Sequence, residues 1–152
     1  HGAYVIAPRN VAKQLNVPFV DATKITHDIE TGMGIEGSRK LHMWFMPGEN
    51  LLVPKGKKDN THYNVYGARV VAGALADAVA EQVPALKSHV CHYDYVVSSE
   101  GRGNFMDLQK AVDAVPVGKK AVIRILGGEW KKPIIAKGKK IKFVKSFGAK
   151  IK

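Results

Sequence analysis

An aspartate and a histidine, Asp59 and His62, lie three positions apart in the stretch KKDNTHYNVYGARVVAGALADAVAEQ (57–82). In a serine hydrolase an imidazole accepts the proton of the nucleophilic hydroxyl, and a carboxylate on the other ring nitrogen fixes the tautomer. An aspartate three residues before the histidine can make that contact within one loop. The spacing alone is weak evidence, because Asp-x-x-His also occurs by chance between a turn residue and an exposed histidine.

The residues after the pair predict a long helix from Asn64 to about Ala85, with one apolar stripe: Val65, Ala68, Val71, Ala72, Leu75, Ala78, Val79 and Val83. This helix would hold the Asp-x-x-His loop from behind. Upstream, VPFVDA (17–22) is typical of a buried strand because it combines apolar, β-branched and aromatic residues. One strand cannot form a sheet, so residues 1–85 resemble the end of a larger α/β domain.

The remaining elements of the first half are less distinct. Apolar spacing predicts helices over 4–15 and 23–33, and the glycines of GMGIEG (32–37) should end the second helix. The segment SRKLHMWF (38–45) suggests a short helix. Residues 46–62, rich in proline, glycine and charge, are predicted to form a loop.

The second half begins after a join at 84–92. YDYVVSS (93–99) and KAVIRIL (120–126) predict strands, with a helix at 105–115 between them and a turn, GGEW, at 127–130. The helix carries one apolar face, formed by Leu108, Ala111, Val112 and Val115. Residues 139–145 alternate lysine with apolar residues, the period of a strand with one face in water.

Composition sets broad limits. The 152 residues are 45% hydrophobic, enough for a packed core. No apolar run approaches the length of a membrane span, and the single Cys91 excludes an internal disulfide. The net charge of +11 is uneven, since residues 1–92 carry 10 basic and 8 acidic residues whereas 93–152 carry 14 and 5. This asymmetry suggests two units of different role.

The residues around the Asp-x-x-His pair resemble the C-terminal part of the SGNH (GDSL-type) hydrolases, most closely the rhamnogalacturonan acetylesterase group. The resemblance covers roughly residues 1–85 and lies in VPFVDATK, WFMPGEN and KGKKDNTHYNVYGARVVA. It implies the C-terminal portion of a flavodoxin-like α/β layer. By the same resemblance His62 is the general base, and Asp59 is the acid that orients its ring.

One block of that family is missing from these 152 residues. The family's nucleophile lies in a Gly-Asp-Ser block, and none of the serines present has that setting: Ser38, Ser88, Ser98, Ser99 and Ser146. The resemblance therefore implies two members of a triad whose serine is not in this chain. We expect the chain alone to be inactive, marginally stable and to expose an apolar face.

Residues 93–152 resemble the opening of the pectin methylesterases. The matching positions follow a Val-Val strand, a Gly-x-Gly-Asn-Phe turn and a helix that ends in proline: Val96, Val97, Gly101, Gly103, Phe105, Gln109, Ala111, Asp113, Ala114, Pro116 and Gly128, with Trp130 where tyrosine is usual. This resemblance implies the N-terminal cap and first coil of a right-handed parallel β-helix, with Ile141, Phe143 and Ile151 inward. The catalytic residues of that family lie further along the chain, so none is assigned here.

The two resemblances together imply a three-part chain: an SGNH part at 1–85, a linker at 86–92 and a methylesterase-like part at 93–152. The expected function is ester hydrolysis on pectin by a piece of a carbohydrate esterase. The expected partner is acidic pectin polysaccharide, no metal or organic cofactor is implied, and the substrate implies a secreted or periplasmic location. The alternative is a non-catalytic carbohydrate-binding or scaffold protein.

The lysine-rich segment 131–152 has nine lysines and no acidic residue. A solvated strand face explains such a pattern most simply. A polyanion such as demethylated pectin also fits the charge, whereas nucleic acid is disfavoured because only Phe143 and Phe147 could stack on bases.

Overall fold

The computed structural model describes residues 2–152. The chain divides into two compact units, one that ends at Val90 and one that comprises Cys91–Lys152. Both units mix helices with small sheets. None of the helices in the described range is long and apolar enough to cross a membrane.

Two helices open the first unit. A 3₁₀ turn, Gly2–Val5, leads into α1 (Ile6–Leu15), which ends at Asn16 in the left-handed conformation with φ 50°. The next helix, α2 (Ala22–Arg39), begins at Asp21, whose carboxylate accepts a hydrogen bond from the amide of Lys24. Both helices are confirmed, but α2 resumes after an interruption at Gly34 (φ 66°) instead of ending at the glycines.

The strand predicted for VPFVDA is wrong. Residues 17–21 are irregular, and Ala22 already belongs to α2. Pro18 has no amide hydrogen to give to a ladder, and no strand of the described residues pairs with this segment. The side chain of Asp21 instead caps the helix that follows. Local helix capping therefore outweighs the β propensity of the valines.

A β-hairpin replaces the helix predicted for 38–45 and part of the loop predicted for 46–62. Strand β1 (His42–Phe45) pairs antiparallel with β2 (Lys57–Tyr63). The polar sequence of β2 has no apolar alternation, because most of its side chains face water, so periodicity alone cannot find it. The register changes from His42↔Tyr63 to Met43↔Asp59, which leaves residues 60–62 as a bulge.

The long helix α3 (Val65–Gln82) is confirmed, and a 3₁₀ turn at Pro84–His89 follows it. Its closest approach to the hairpin is at Gly67, where an added Cβ would lie 2.0 Å from the carbonyl oxygen of the buried Leu41. The absence of a side chain at Gly67 therefore lets the first turn of α3 lie against the start of β1.

Parallel strands form the second unit. The elements are β3 (Tyr95–Val97), α4 (Leu108–Ala114), β4 (Lys120–Ile125), β5 (Gly128–Trp130), β6 (Lys140–Lys145) and β7 (Ala149–Ile151). Strands β3, β4 and β6 form one parallel sheet in that order, and β5 pairs in parallel with β7. The turn predicted for 127–130 is wrong, since β5 occupies Gly128–Trp130.

The core of the second unit is one apolar cluster under α4. Its buried members come from α4 and the strands: Val97, Leu108, Ala111, Val112, Val115, Ala121, Ile123, Ile125 and Trp130. The predicted apolar face of α4 is thus confirmed. Ile141, Phe143 and Ile151 pack against this cluster while half-buried. The described residues do not show a β-helix, and that expectation stays a prediction.

Candidate active site

Asp59 and His62 are in contact. Nδ1 of His62 lies 2.9 Å from Oδ2 of Asp59, and the two side chains differ sharply in exposure, 12% for the aspartate and 72% for the histidine. The bulge in β2 produces this geometry, because it lets the chain turn between the two residues. The carboxylate is therefore held inside the bulge while the imidazole faces solvent.

The carboxylate of Asp59 accepts hydrogen bonds from several donors. Its Oδ1 accepts from the amide of Thr61 (2.9 Å), the amide of His62 (3.0 Å) and the hydroxyl of Thr61 (2.8 Å). The ammonium of Lys57 lies 3.0 Å from Oδ2. The pKa of Asp59 is held far below its ordinary value by these donors. The amide of Thr61 has the largest effect, followed by the amide of His62, and then by Lys57 and the Thr61 hydroxyl. The carboxylate is consequently ionised at neutral pH.

An ionised carboxylate can only accept hydrogen bonds, and this fixes the tautomer of His62. Nδ1 must carry the hydrogen in the contact with Asp59, so the neutral ring presents a lone pair at Nε2. Among residues 2–152, the recorded polar contacts of the ring are all at Nδ1. The arrangement leaves Nε2 able to accept a proton from a hydroxyl group.

Asn64 connects the pair to the rest of the first unit. Its side-chain carbonyl accepts from the amide of Gly67 and caps α3, and its side-chain amide donates to the backbone carbonyls of Lys40 and His42. The backbone amide of Asn64 donates to Leu41. One residue thus joins the N-terminus of α3 to β1, two positions after His62.

Tyr63, the residue after His62, links the end of β2 to helix α2. Its hydroxyl donates to Oε1 of Glu30 at 2.7 Å, and burial together with that contact raises the pKa of Tyr63 to about 12. The buried His42 packs against the ring of Tyr63, with centroids 4.8 Å apart, and its Nε2 lies 3.6 Å from Glu30. Helix α2 is thereby tied to the strand that carries Asp59.

The tertiary contacts of this site could not be found from the sequence. Asn60 accepts a hydrogen bond from Nε1 of Trp44 at 2.6 Å, and Glu30 lies 33 positions before its partner Tyr63. A capping asparagine before an apolar helix was a usable indication for Asn64. For Asn60, Trp44 and Glu30, neither spacing nor residue type reveals the contact.

No nucleophile completes the pair within residues 2–152, where no recorded hydrogen bond joins His62 to a serine hydroxyl. Ser98, for example, is buried in the second unit and accepts from the amide of Glu100. The same residues contain no group of three histidine, cysteine, aspartate or glutamate side chains suited to a metal ion.

Comparison with known proteins yields one curated relative. The chain is 37% identical over 101 residues to the rhamnogalacturonan acetylesterase RhgT of Bacillus subtilis (strain 168), which is 66% of this chain and 41% of that protein. A stretch covering two thirds of a chain must include its middle third, where Asp59 and His62 lie. No family model and no solved structure matches. The chain is thus a partial homologue of a rhamnogalacturonan acetylesterase and spans about two fifths of its length.

Proposed function

We propose that the first unit supplies the acid and base of a serine carbohydrate esterase that removes acetyl groups from pectin, specifically from rhamnogalacturonan. The observation that carries this proposal is the 2.9 Å contact between Nδ1 of His62 and a carboxylate held by four further donors. The partial homology to a rhamnogalacturonan acetylesterase supports the reaction class. The nucleophilic serine and the oxyanion donors come from residues outside these 152.

In this mechanism Nε2 of His62 removes the proton of the serine hydroxyl as the oxygen attacks the acetyl carbonyl. The imidazolium that forms is stabilised by the carboxylate of Asp59 2.9 Å from Nδ1. His62 then returns the proton to the leaving sugar oxygen, and a second cycle with water as the nucleophile releases acetate. Because Asp59 is already ionised and held by the backbone, little reorganisation accompanies the proton transfer.

A chimera tests the proposal. The stretch of the Bacillus subtilis enzyme that this chain matches is replaced by the corresponding residues of this chain, and acetate release from acetylated rhamnogalacturonan is measured. We expect the chimera to be active and the 152-residue chain alone to be inactive. In the chimera, His62→Ala and Asp59→Asn should each lower kcat by a factor on the order of 10³ to 10⁴.

Matched controls separate catalysis from folding. His89→Ala and Asp77→Asn remove an exposed imidazole and an exposed carboxylate elsewhere in the same unit, and we expect less than about a twofold change in kcat since neither touches the reacting atoms. Equal losses in all four variants would refute the assignment of Asp59 and His62. Full activity in a folded chimera that lacks His62 would also refute this assignment.

For the second unit we propose the beginning of a pectin methylesterase, with α4 as the cap of a right-handed parallel β-helix. In support, β6 pairs in parallel with β4, and β7 pairs in parallel with β5. The sequence resemblance of residues 93–152 adds to this. A chain extended through the natural downstream coding sequence should release methanol from esterified pectin. Absence of methanol from a folded extended chain would refute this part.

On this reading the physiological partner is pectin, and we propose a secreted or periplasmic location because the polymer is too large to enter a cell. The alternative is a carbohydrate-binding protein without catalysis. The chimera distinguishes these two functions. If the chain is only a binding protein, the chimera should bind pectin but should not release acetate.

A further inference from the structure

The outer face of the sheet β3–β4–β6 is strongly basic. Along β4 and β6 the inward side chains belong to the apolar cluster, whereas alternate residues point away from it. The outward positions of β4 and β6 include four cations: Lys120, Arg124, Lys140 and Lys142. We call these four residues the basic face.

The register places like charges side by side. Lys120 is the direct partner of Lys140 in the parallel ladder, and Lys142 lies beside Val122, two positions further along β6. Neighbouring strands are about 4.8 Å apart, and like charges directly opposite one another destabilise a sheet. The two lysines therefore repel each other unless an anion lies between them.

Nothing in the described residues neutralises these lysines. No recorded ion pair involves Lys120, Lys140 or Lys142, in contrast to Lys152, which lies 2.6 Å from Glu129. Asp94 lines the same cleft as these lysines, and its Oδ2 accepts a hydrogen bond from the amide of Val122 at 2.6 Å. That carboxylate supports the ladder and forms no ion pair with a lysine of the basic face in the described range.

A cleft of about 450 Å³ adjoins the three lysines and has Val122, Ile141 and Asp94 in its lining. Its surface therefore combines cationic groups with an apolar floor and one hydrogen-bond acceptor. At the other end of the face, the guanidinium of Arg124 lies 5.2 Å from the centroid of the Tyr93 ring.

We propose that the basic face and its cleft bind a linear polysaccharide of uronic acids, with carboxylates between Lys120, Lys140 and Lys142 and sugar C–H groups on Val122. The surface lies in the second unit and contains neither Asp59 nor His62. The choice of a uronic acid polymer rests on the proposed pectin substrate, whereas the negative charge of the ligand is inferred from the register alone.

A sugar polymer fits this surface better than a nucleic acid. Binding of single-stranded nucleic acid uses aromatic side chains on which bases stack, and the ring of Tyr93 beside the basic face already packs with Arg124. The carboxylate of Asp94 in the cleft can accept a hydrogen bond from a sugar hydroxyl.

Fluorescence anisotropy of a labelled oligogalacturonate with the 152-residue chain tests the proposal. The triple variant Lys120→Gln, Lys140→Gln, Lys142→Gln should raise Kd roughly tenfold or more, since three exposed ion pairs are lost. The control variant Lys131→Gln, Lys132→Gln, Lys137→Gln loses the same charge from irregular segments outside the strands and should change Kd less than about twofold. Between about 50 and 200 mM salt, binding by the original chain should weaken more than binding by the triple variant.

Two further ligands make the outcome decisive. A fully methyl-esterified oligogalacturonide has the same backbone without charge and should not bind, and a single-stranded DNA of equal charge should bind more weakly than the uronate. Equal loss in both triple variants, no binding by the original chain, or tighter binding of the DNA would each overturn the proposal. Thermal unfolding checks the fold of every variant, and because binding is measured without catalysis, failure of the esterase proposal leaves this test intact.

Discussion

At the scale of single residues, Asp59 shows how a small side chain becomes a fixed anion on an exposed hairpin. Two backbone amides, a hydroxyl and an ammonium point at a carboxylate that is 12% exposed. The bulge supplies the two amides, since an ordinary strand would direct them into the ladder. The backbone consequently holds the carboxylate that orients the ring of His62.

The first prediction concerns the pKa of Asp59. Carboxyl-carbon NMR should place it well below the ordinary value of 3.8, with the amides of Thr61 and His62 as the main cause. Thr61→Val removes the hydroxyl donor and should raise this pKa, as should Lys57→Met. Thr26→Val is the control, because that hydroxyl contacts only helix carbonyls. A pKa unaffected by Thr61→Val would contradict the hydrogen-bond arrangement.

The direction of the accompanying stability effect follows from linkage. A carboxyl group with a folded-state pKa below its unfolded-state pKa stabilises the fold above the unfolded value, and this contribution is lost as the pH falls toward the folded value. Asp59 therefore contributes throughout the neutral range.

At the scale of elements, the contact between α3 and β1 determines where the pair lies. The contact is made by Gly67, in the first turn of α3, and by the N-cap residue Asn64. On the other side of the contact is Leu41, the residue before β1. A shift of α3 would move Asn64 and, two residues earlier, His62. Helix packing and the geometry of the candidate site are thereby coupled.

Gly67→Ala should destabilise the protein. The added methyl group would lie 2.0 Å from the carbonyl oxygen of Leu41, and overpacking of this kind costs about 1–3 kcal/mol even though alanine favours the helix. Chemical denaturation followed by circular dichroism measures the change. Gly73→Ala is the matched control in the same helix, where no atom lies within 4 Å and the substitution should stabilise by about 0.5–1 kcal/mol. Similar effects of the two substitutions would argue against the close approach of α3.

The sequence predicts best the elements in which apolar residues recur with the period of a helix or a strand. Helix α4, with its buried Ala111 and Val112, and the parallel strands β4 and β6 follow this rule. Strand β2 does not, because its residues are held by pairing with β1 and by the hydrogen bonds of Asp59, which leave no apolar pattern. The spacing of Asp59 and His62 pointed to the pair, whereas the contacts from Trp44 to Asn60 and from Tyr63 to Glu30 depend on tertiary structure.

At the scale of the whole molecule, the two units differ in the amount of buried apolar surface. Within the described residues, the hydrophobic side chains buried in the first unit are Ala12, Leu41, Val71 and Ala80, whereas the cluster of the second unit has nine members. Large apolar side chains of the first unit are open to solvent, among them Tyr4, Leu15, Leu51 and Leu52. Burial of apolar surface is the main stabilising contribution, so the units should differ in stability.

Amide hydrogen exchange should reveal this difference. We expect slower exchange for the amides of Ile123 and Ile125 in β4 than for those of Val71 and Ala80 in α3, because opening of the first unit exposes less apolar surface. A dye that binds exposed apolar surface should also bind the chain in its native state. Equal or slower exchange in α3, together with cooperative unfolding at a high midpoint, would contradict a marginally stable first unit.

The two tryptophans give each unit its own optical probe. Trp44 is half-exposed and donates to Asn60 beside the Asp59–His62 pair, whereas Trp130 is buried under the apolar cluster and donates to the carbonyl of Leu126. An indole in contact with water emits at longer wavelength than one in an apolar core. Trp130→Phe would leave a fluorophore that reports on the hairpin, and Trp44→Phe one that reports on the parallel sheets. The emission spectra of the two variants would then distinguish loss of structure around the hairpin from loss of structure in the second core.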